Sequence, residues 1–201
     1  MPESELLIVF VKNPILGTAK TRLAQTVGDE NALEIYLELL EITKKVVLSV
    51  KSDKEVWMSR RIDENDMWEE SSIVKRVQRG DGLGGRMSNA FKYALKEKKY
   101  AKVVVIGSDC PDITSETIES AFTMLDEKEV VFGPASDGGY YLIGMKNFYP
   151  ELFKEITWSV SSVLENSIKK LKEMETSFAL LKELSDVDTY QDWERFLNNR
   201  K

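Results

Sequence analysis

Three cations stand close together in "KNPILGTAKTRL" (residues 12–23): Lys12, Lys20 and Arg22, with Gly17 between the first and second. Ammonium and guanidinium groups on one short turn suit a diphosphate or triphosphate, because hydrogen bonds between ionised partners are the strong ones. The stretch is not the glycine-rich loop GxxxxGK[ST]. Setting its Lys-Thr pair on Lys20 and Thr21 requires glycine at positions 19 and 14, where the chain has Ala19 and Pro14. That argues against a P-loop NTPase. The phosphate-binding charge would come more from side chains than from a nest of backbone N–H groups. A solvated basic loop with no ligand is the plain alternative.

Carboxylates recur at comparable places. "GSDCPD" sets Asp109 and Asp112 directly after the apolar run "KVVVI". An acid at the tip of a buried strand is placed to bind a metal at the sheet edge, and Asp109 is read that way; Asp112 is read as the N-cap of the helix after Thr114. "SDVDTYQDW" offers Asp186 and Asp188 just before a helix N-terminus, where the macrodipole favours anions. Either could be merely a cap, yet Thr189 already fills that role, so Asp188 can serve as the second metal ligand. The chain contains no histidine. There is thus no Ser-His or Cys-His nucleophile and no His-ligated zinc, and a metal held by carboxylates and other oxygens is Mg²⁺ or Mn²⁺.

Two glycine-rich stretches complete the set. In "DGGYYLIG" the functional reading gives Asp137 to an acceptor substrate, with Gly138 and Gly139 admitting it close to the backbone. A tight turn between two strands accounts for the same glycines without a ligand. In "RGDGLGGRM" Arg86 either faces a cleft or simply starts a helix, and Trp158 in "ITWSVSS" either lines a pocket or fills the core.

The elements that must position these residues alternate in type. "LLIVFV" (6–11) reads as a strand leading into the basic loop. In "DENALEIYLELLEITKKVVLSV", Ala32, Leu33, Tyr36, Leu39, Leu40, Thr43 and Val47 recur at spacings of three and four, predicting a helix from near Asp29. "EVWMS" and "IVKRVQ" (73–78) are strand candidates on either side of an acidic connection over 62–70, and a helix is predicted over 84–97. "KVVVIG" (102–107) is the clearest buried strand. A helix over 114–126 leads to "EVVFG", to "YYLIGM", and to a helix over 161–175 opened by Ser162 and Glu165 as a capping box. "FALLKEL" is the last strand candidate, before a short helix capped by Thr189. Strands alternating with helices predict an α/β fold, a mostly parallel sheet with helices on both faces. In such sheets ligands bind beyond the carboxyl ends of the strands. The segments 12–22, 79–86, 108–112, 135–140 and 186–188 each follow a strand candidate, so they are expected to gather in one cleft.

Composition narrows the partners. The 201 residues fit one domain, 1–201, large enough to bury about 70% of the surface its unfolded chain exposes. With 28 basic and 34 acidic residues the net charge is −6, which argues against a nucleic-acid partner and for small molecules. Cys110 is the only cysteine, so no intrachain disulfide forms. No apolar run approaches the length of a membrane span, and "MPESELLIVF" is acidic where a signal peptide is basic. A cytoplasmic location is expected.

The run "FVKNPILGTAKTRL", "LGGRM", "GSDCPDIT", "GPASDGGYYLIGM", "ITWS" and "DVDTYQDW", in this order, resembles the bacterial family called domain of unknown function 2064. These are GT-A-type transferases of the nucleotide-diphospho-sugar transferase superfamily, usually labelled glycosyltransferases by inference. The resemblance covers about residues 5 to 195. The family is similar in its first loop to 2-phospholactate guanylyltransferases and in "DVDT" to molybdenum-cofactor guanylyltransferases. The resemblance implies a GT-A-like fold, with Lys12, Gly17, Lys20 and Arg22 on the nucleotide phosphates and Asp109 and Asp188 on Mg²⁺. One departure is visible: where the family tends to show "GDLGER", this chain has "GDGLGGRM", with Gly85 in place of the second acid. No role is assigned to a carboxylate there.

The expected function is transfer from a metal-bound activated nucleotide, as glycosyl transfer from a nucleotide-sugar to a small acceptor. Lys20 and Arg22 would stabilise the leaving diphosphate, Lys12, Gly17, Thr21 and Arg86 would help bind the nucleotide, and Asp137 would be the base. Asp137, Gly138, Gly139 and Trp158 would bind the acceptor. Two alternatives stand beside it: nucleotidyl transfer from an NTP to an acceptor phosphate with release of pyrophosphate, and a nucleotide-binding protein without catalysis.

Overall fold

The computed structural model describes residues 4–63, 66–158 and 160–200. Seven strands form one sheet: β1 (Glu5–Val11), β2 (Asp53–Met58), β3 (Ile73–Val77), β4 (Lys102–Ile106), β5 (Val130–Pro134), β6 (Tyr140–Met145) and β7 (Phe178–Leu180). Their order across the sheet is β3-β2-β1-β4-β6-β5-β7. β6 runs antiparallel to both neighbours, and every other pairing is parallel. The mixed, mainly parallel α/β sheet expected from the sequence is therefore present, and the carboxyl ends of β1 to β5 and β7 share one edge.

The central strands read as unbroken apolar runs because they are covered on both faces. Along β1, Leu7, Val9 and Val11 pack on one side while Leu6 and Ile8 pack on the other, and β4 divides in the same way between Val104 and Ile106 and between Val103 and Val105. The first face is covered by α2 (Asp29–Ser49) and α4 (Ser115–Glu127), through Tyr36, Leu40, Ile118 and Phe122 among others. The second is covered by α3 (Gly82–Phe91), its π-helical continuation over Lys92–Glu97, and α5 (Val163–Glu173). A third cluster joins α2 to α1 (Thr21–Val27) and α6 (Tyr190–Asn198) through Leu23, Leu39, Trp193 and Phe196. Among the described residues no helix is long and apolar enough to cross a membrane.

Several local expectations are corrected. The end of the basic loop is already helical, as α1, because Leu23 is drawn into the α2–α6 cluster. The helix expected over 84–97 starts at Gly82 and widens in its last six residues. Asp112 does not cap α4: Thr114 does, its extended backbone aiming the hydroxyl at the Thr117 amide, 3.2 Å away. Ser162 precedes α5 but forms no capping box with Glu165. Its ψ of 8° is not the extended conformation a cap needs, and its Oγ accepts instead from Asn166 Nδ2 at 3.3 Å. Thr189 forms a full capping box with Asp192 at the start of α6. The strand in "FALLKEL" is short, Phe178–Leu180, and a single bridge from Ala135 to Leu184 carries the edge onward.

Candidate functional site

The site begins where β1 ends. Lys20, the residue before α1, has left-handed backbone angles, φ 51° and ψ 46°, which cost a non-glycine residue about 1 kcal/mol. Its side chain is only 7% exposed. Nζ lies 2.9 Å from Asp109 Oδ2, just beyond β4, and 3.2 Å from Asp188 Oδ1, just before α6. Arg22, largely exposed, approaches the other oxygen of Asp188 at 3.5 Å. Three segments remote in sequence thus converge on one ammonium.

The backbone fixes that convergence. Val187 N–H donates to the Asp109 carbonyl at 2.8 Å, tying the segment before α6 to the tip of β4. Asp188 N–H donates to Asp192 Oδ2 at 3.2 Å, so the α6 capping box also orients Asp188. Ser136 N–H donates to the Leu184 carbonyl at 2.9 Å, and the Ser136 and Ser185 hydroxyls lie 2.9 Å apart, which brings the "SDGG" turn to the same strand of backbone.

The charges respond to one another. Burial alone would push the Lys20 ammonium down, but Asp109 and Asp188 outweigh it and hold it above the usual lysine range. Partial burial works against the Asp109 carboxylate, yet Lys20 more than compensates and holds it below the usual carboxylate range. Asp186 is pushed the other way, up to about 8, by burial first and by the charge of Asp109 next. Its Oδ1 is buried and has no hydrogen-bond partner among the described residues. Asp186 was visible in the sequence as the neighbour of Asp188; its burial was not.

Lys12, Lys20, Thr21, Arg22, Asp137, Val160, Ser161 and Asp188 line one cleft of about 360 Å³, within the range of small-molecule sites. Asp137 Oδ1 accepts from Gly139 N–H at 2.8 Å, which orients the carboxylate. Gly138 (φ 87°) lies under the Ser161 carbonyl: a Cβ there would sit 1.9 Å from that oxygen. Its own carbonyl accepts from Leu164 N–H at 3.0 Å. The glycine is therefore required by the close passage of the Ser161 segment, which forms one wall of the cleft. Ser161 itself is a lining residue that carried no signal in the sequence.

The remaining expected residues lie apart from this lining. Gly17 takes φ 72° at the far bend of the basic loop, near Asp29. Arg86 donates from Nη1 to Gln78 Oε1 at 3.2 Å, and Gln78 Nε2 reaches the carbonyls of Val11 and Trp57 at the ends of β1 and β2. Trp158 packs over Gly84, where a Cβ would fall 2.4 Å from the indole nitrogen, and meets the Tyr140 ring edge-on with centroids 6.4 Å apart. Gly139 serves the turn through its N–H.

Asp109 and Asp188 supply oxygen donors close enough to share one ammonium, the donor chemistry of a Mg²⁺ or Mn²⁺ site. Among the described residues no group of three or more acids or cysteines gathers into a complete protein cage. A pair of carboxylates completed by substrate phosphates and water is the usual arrangement for Mg²⁺, so the residues fit the ion.

The fold is that of nucleotide-diphospho-sugar transferases. A crystal structure of a provisionally named nucleotide-diphospho-sugar transferase from Desulfovibrio desulfuricans G20 is 30% identical, covers 92% of this chain and 82% of that one, and superposes with a TM-score of 0.84. Rv0371c from Mycobacterium tuberculosis H37Rv, determined in complex with manganese, shares the fold at 15% identity, with 98% and 100% coverage and a TM-score of 0.58. The 2-phospho-L-lactate guanylyltransferase of Methanocaldococcus vulcanius is 22% identical over 146 residues, 70% of this chain and 62% of that protein, so the match spans less than two thirds of that relative. Residues 40–160 match the family described as "Uncharacterized protein conserved in bacteria (DUF2064)", and the chain belongs to it.

Proposed function

We propose that this chain is a divalent-metal-dependent transferase acting on an activated nucleotide, and that its reaction is glycosyl transfer from a nucleotide-sugar to a small acceptor. The observation that carries this reading is the composition of one cleft: Lys12, Lys20 and Arg22 face it together with Asp137. The cations suit a leaving diphosphate, which needs positioning and charge neutralisation more than covalent chemistry. Asp137, oriented by Gly139 N–H, suits removal of the proton from an acceptor hydroxyl. A Mg²⁺ or Mn²⁺ held by Asp109 and Asp188 would add positive charge at the phosphate oxygens. The likeness to the Desulfovibrio structure supports a nucleotide-sugar donor.

Nucleotidyl transfer is the second reading, favoured by the similarity to a guanylyltransferase. An acceptor phosphate would attack the α-phosphate of an NTP and pyrophosphate would leave, with the same cations and no base. Incubation with Mg²⁺, panels of nucleotide-sugars and NTPs, and a cell extract as acceptor source separates the two. Release of nucleoside diphosphate or monophosphate from one nucleotide-sugar is expected. Pyrophosphate release requiring both NTP and extract, with every nucleotide-sugar left intact, would overturn glycosyl transfer in favour of the second reading.

A further inference from the structure

The buried stripe of α2 comprises Ala32, Ile35, Tyr36, Leu39, Leu40, Thr43 and Val47. Two of these carry a hydroxyl. Thr43 spends its own inside the helix, on the Leu39 carbonyl at 2.9 Å. Tyr36 sends its hydroxyl out of the helix altogether. It donates to the Lys12 carbonyl at 2.9 Å, accepts from the Lys12 amide at 3.0 Å, and lies 3.4 Å from Ser108 Oγ. The side chain is 2% exposed.

The place it reaches is where the sheet stops pairing. The β1–β4 ladder ends at Val9 and Ile106, so Lys12 and Ser108 lie past the last partners, where the two chains diverge toward the cleft. Their polar groups need partners there, because an unpaired buried donor or acceptor costs about 1–3 kcal/mol. The phenol supplies both bonds to Lys12 and extends to the residue before Asp109. A phenylalanine would fill the same space with nearly the same apolar surface, so packing does not account for the hydroxyl.

We infer that Tyr36 is a positioning residue whose hydroxyl couples the loop bearing Lys12 to the strand tip bearing Asp109, holding the phosphate-binding and metal-binding groups in one register. The inference rests on the proposed roles of Lys12 and Asp109. Without the hydroxyl, the Lys12 amide and carbonyl lose their partner together, and the two chains beyond β1 and β4 are left joined by the Lys20–Asp109 ion pair at the far end of the loop.

The test uses Tyr36→Phe, Ser108→Ala and the double variant of the full chain, with two readouts. In ligand-free protein, hydrogen exchange in Tyr36→Phe should accelerate at residues 12–13 and at 108–110 together, while β1 and β4 keep their protection. By titration with Mg²⁺ and a panel of nucleoside diphosphates, the variant should bind the parent's preferred diphosphate about five- to tenfold more weakly, with binding of the bare nucleoside unchanged. Ser108→Ala should produce a smaller effect on the 108–110 segment, and adding it to Tyr36→Phe should change nothing further, since both remove one link. A lowered melting temperature with unaltered exchange in the two segments would overturn the inference, as would losses that simply add in the double variant. If the parent binds no nucleotide while the two segments still loosen together, the coupling stands and the nucleotide reading falls.

Discussion

The Lys20 ammonium, which lines the cleft, meets the Asp109 carboxylate at 2.9 Å, across 89 residues of sequence. The pairing decides what each can do. A cation that is 7% exposed and flanked by two carboxylates stays protonated at every physiological pH, and it stands ready to share its donors with phosphate oxygens. Arg22, 69% exposed on the same helix turn, contributes charge without being built into the fold. Replacing either by alanine should weaken nucleoside di- or triphosphate binding about tenfold or more while sparing the nucleoside, since a charge-assisted bond is worth about 1.5–3 kcal/mol. The two differ in stability: Lys20→Ala should lower the melting temperature and Arg22→Ala should leave it unchanged. Calorimetric titration and thermal unfolding of both variants check this, and equal small losses for nucleoside and nucleotide would mark the loop as merely solvated.

Asp109→Asn tests the metal assignment and has a defined pH signature. The folded-state pKa of Asp109 is depressed by Lys20, so its contribution to stability is fully present above the unfolded value, about 3.8, and is lost as pH falls through the folded value. The Lys20 pKa is raised, so that side of the pair is fully present below about 10.5 and is lost only as pH rises through the folded value. The parent's advantage over Asp109→Asn should therefore shrink in acid, as Asp109 protonates, and narrow again as pH rises toward about 8, because removing the Asp109 charge also relieves the raised pKa of Asp186. Titration of nucleotide with and without Mg²⁺ should show the metal dependence of the parent reduced in the variant. Equal metal dependence in both proteins would remove Asp109 from the metal site.

Much of this arrangement was legible in the sequence because it follows from burial and chain direction. "LLIVFV" and "KVVVIG" are unbroken apolar runs since β1 and β4 are covered on both faces, and segments that follow parallel strands must emerge at one edge. Side chains whose roles depend on remote partners were not legible. Tyr36 sits at helical spacing among aliphatic residues, where an aromatic reads as core filler; only the tertiary structure brings its hydroxyl to Lys12. The capping pattern at Ser162 and Glu165 misled for a related reason. Ser162 has a ψ of 8° and follows directly on Ser161, whose carbonyl passes close over Gly138, whereas Thr189 has the extended backbone that a cap needs.

Cys110 provides a probe of the intact site. It follows Asp109 and is 4% exposed, and burial, reinforced by Asp186 and Asp109, pushes its thiol well above the ordinary range. The thiolate is the reactive form. Ellman's reagent should therefore leave the native protein unmodified and release one equivalent of chromophore after unfolding in guanidinium, one being the number of cysteines in the chain. Rapid reaction of the native protein would contradict the burial of the strand tip.

Two glycines should respond in opposite ways to alanine. At Gly138 the added Cβ would collide with the Ser161 carbonyl, 1.9 Å away, at a φ of 87°. Gly138→Ala should be destabilising by about 2 kcal/mol or more, a size reserved for strain and overpacking. At Gly85, inside α3, the Cβ would meet only the Gly80 backbone at 3.6 Å, an ordinary contact. Gly85→Ala should be neutral or stabilising by up to about 1 kcal/mol, the helix-propensity difference. Chemical denaturation of both variants measures the contrast, and a Gly138→Ala protein as stable as the parent would refute the packing of the Ser161 segment on the turn.

Asp137 separates the two enzymatic readings. Glycosyl transfer to a hydroxyl releases a proton, and a cleft without histidine has few groups to receive it; of the two carboxylates that line it, Asp188 is paired with Lys20 and Arg22, which leaves Asp137 the better placed. Asp137→Asn keeps the size of the side chain and an oxygen for the Gly139 amide, so the turn should survive and the melting temperature should change little. If the acceptor is a hydroxyl, turnover should fall by roughly 10²-fold or more, the range for loss of a positioned base, with the Michaelis constant little altered. If the acceptor is a phosphate, the nucleophile is already an anion at pH 7 and needs no base. The substitution should then remove one negative charge from beside an anionic substrate, leaving kcat nearly unchanged and lowering KM if anything. Steady-state kinetics of parent and variant, on whichever nucleotide the activity screen selects, decide the matter: an unaltered kcat in a folded Asp137→Asn protein would end the case for glycosyl transfer with this residue as base.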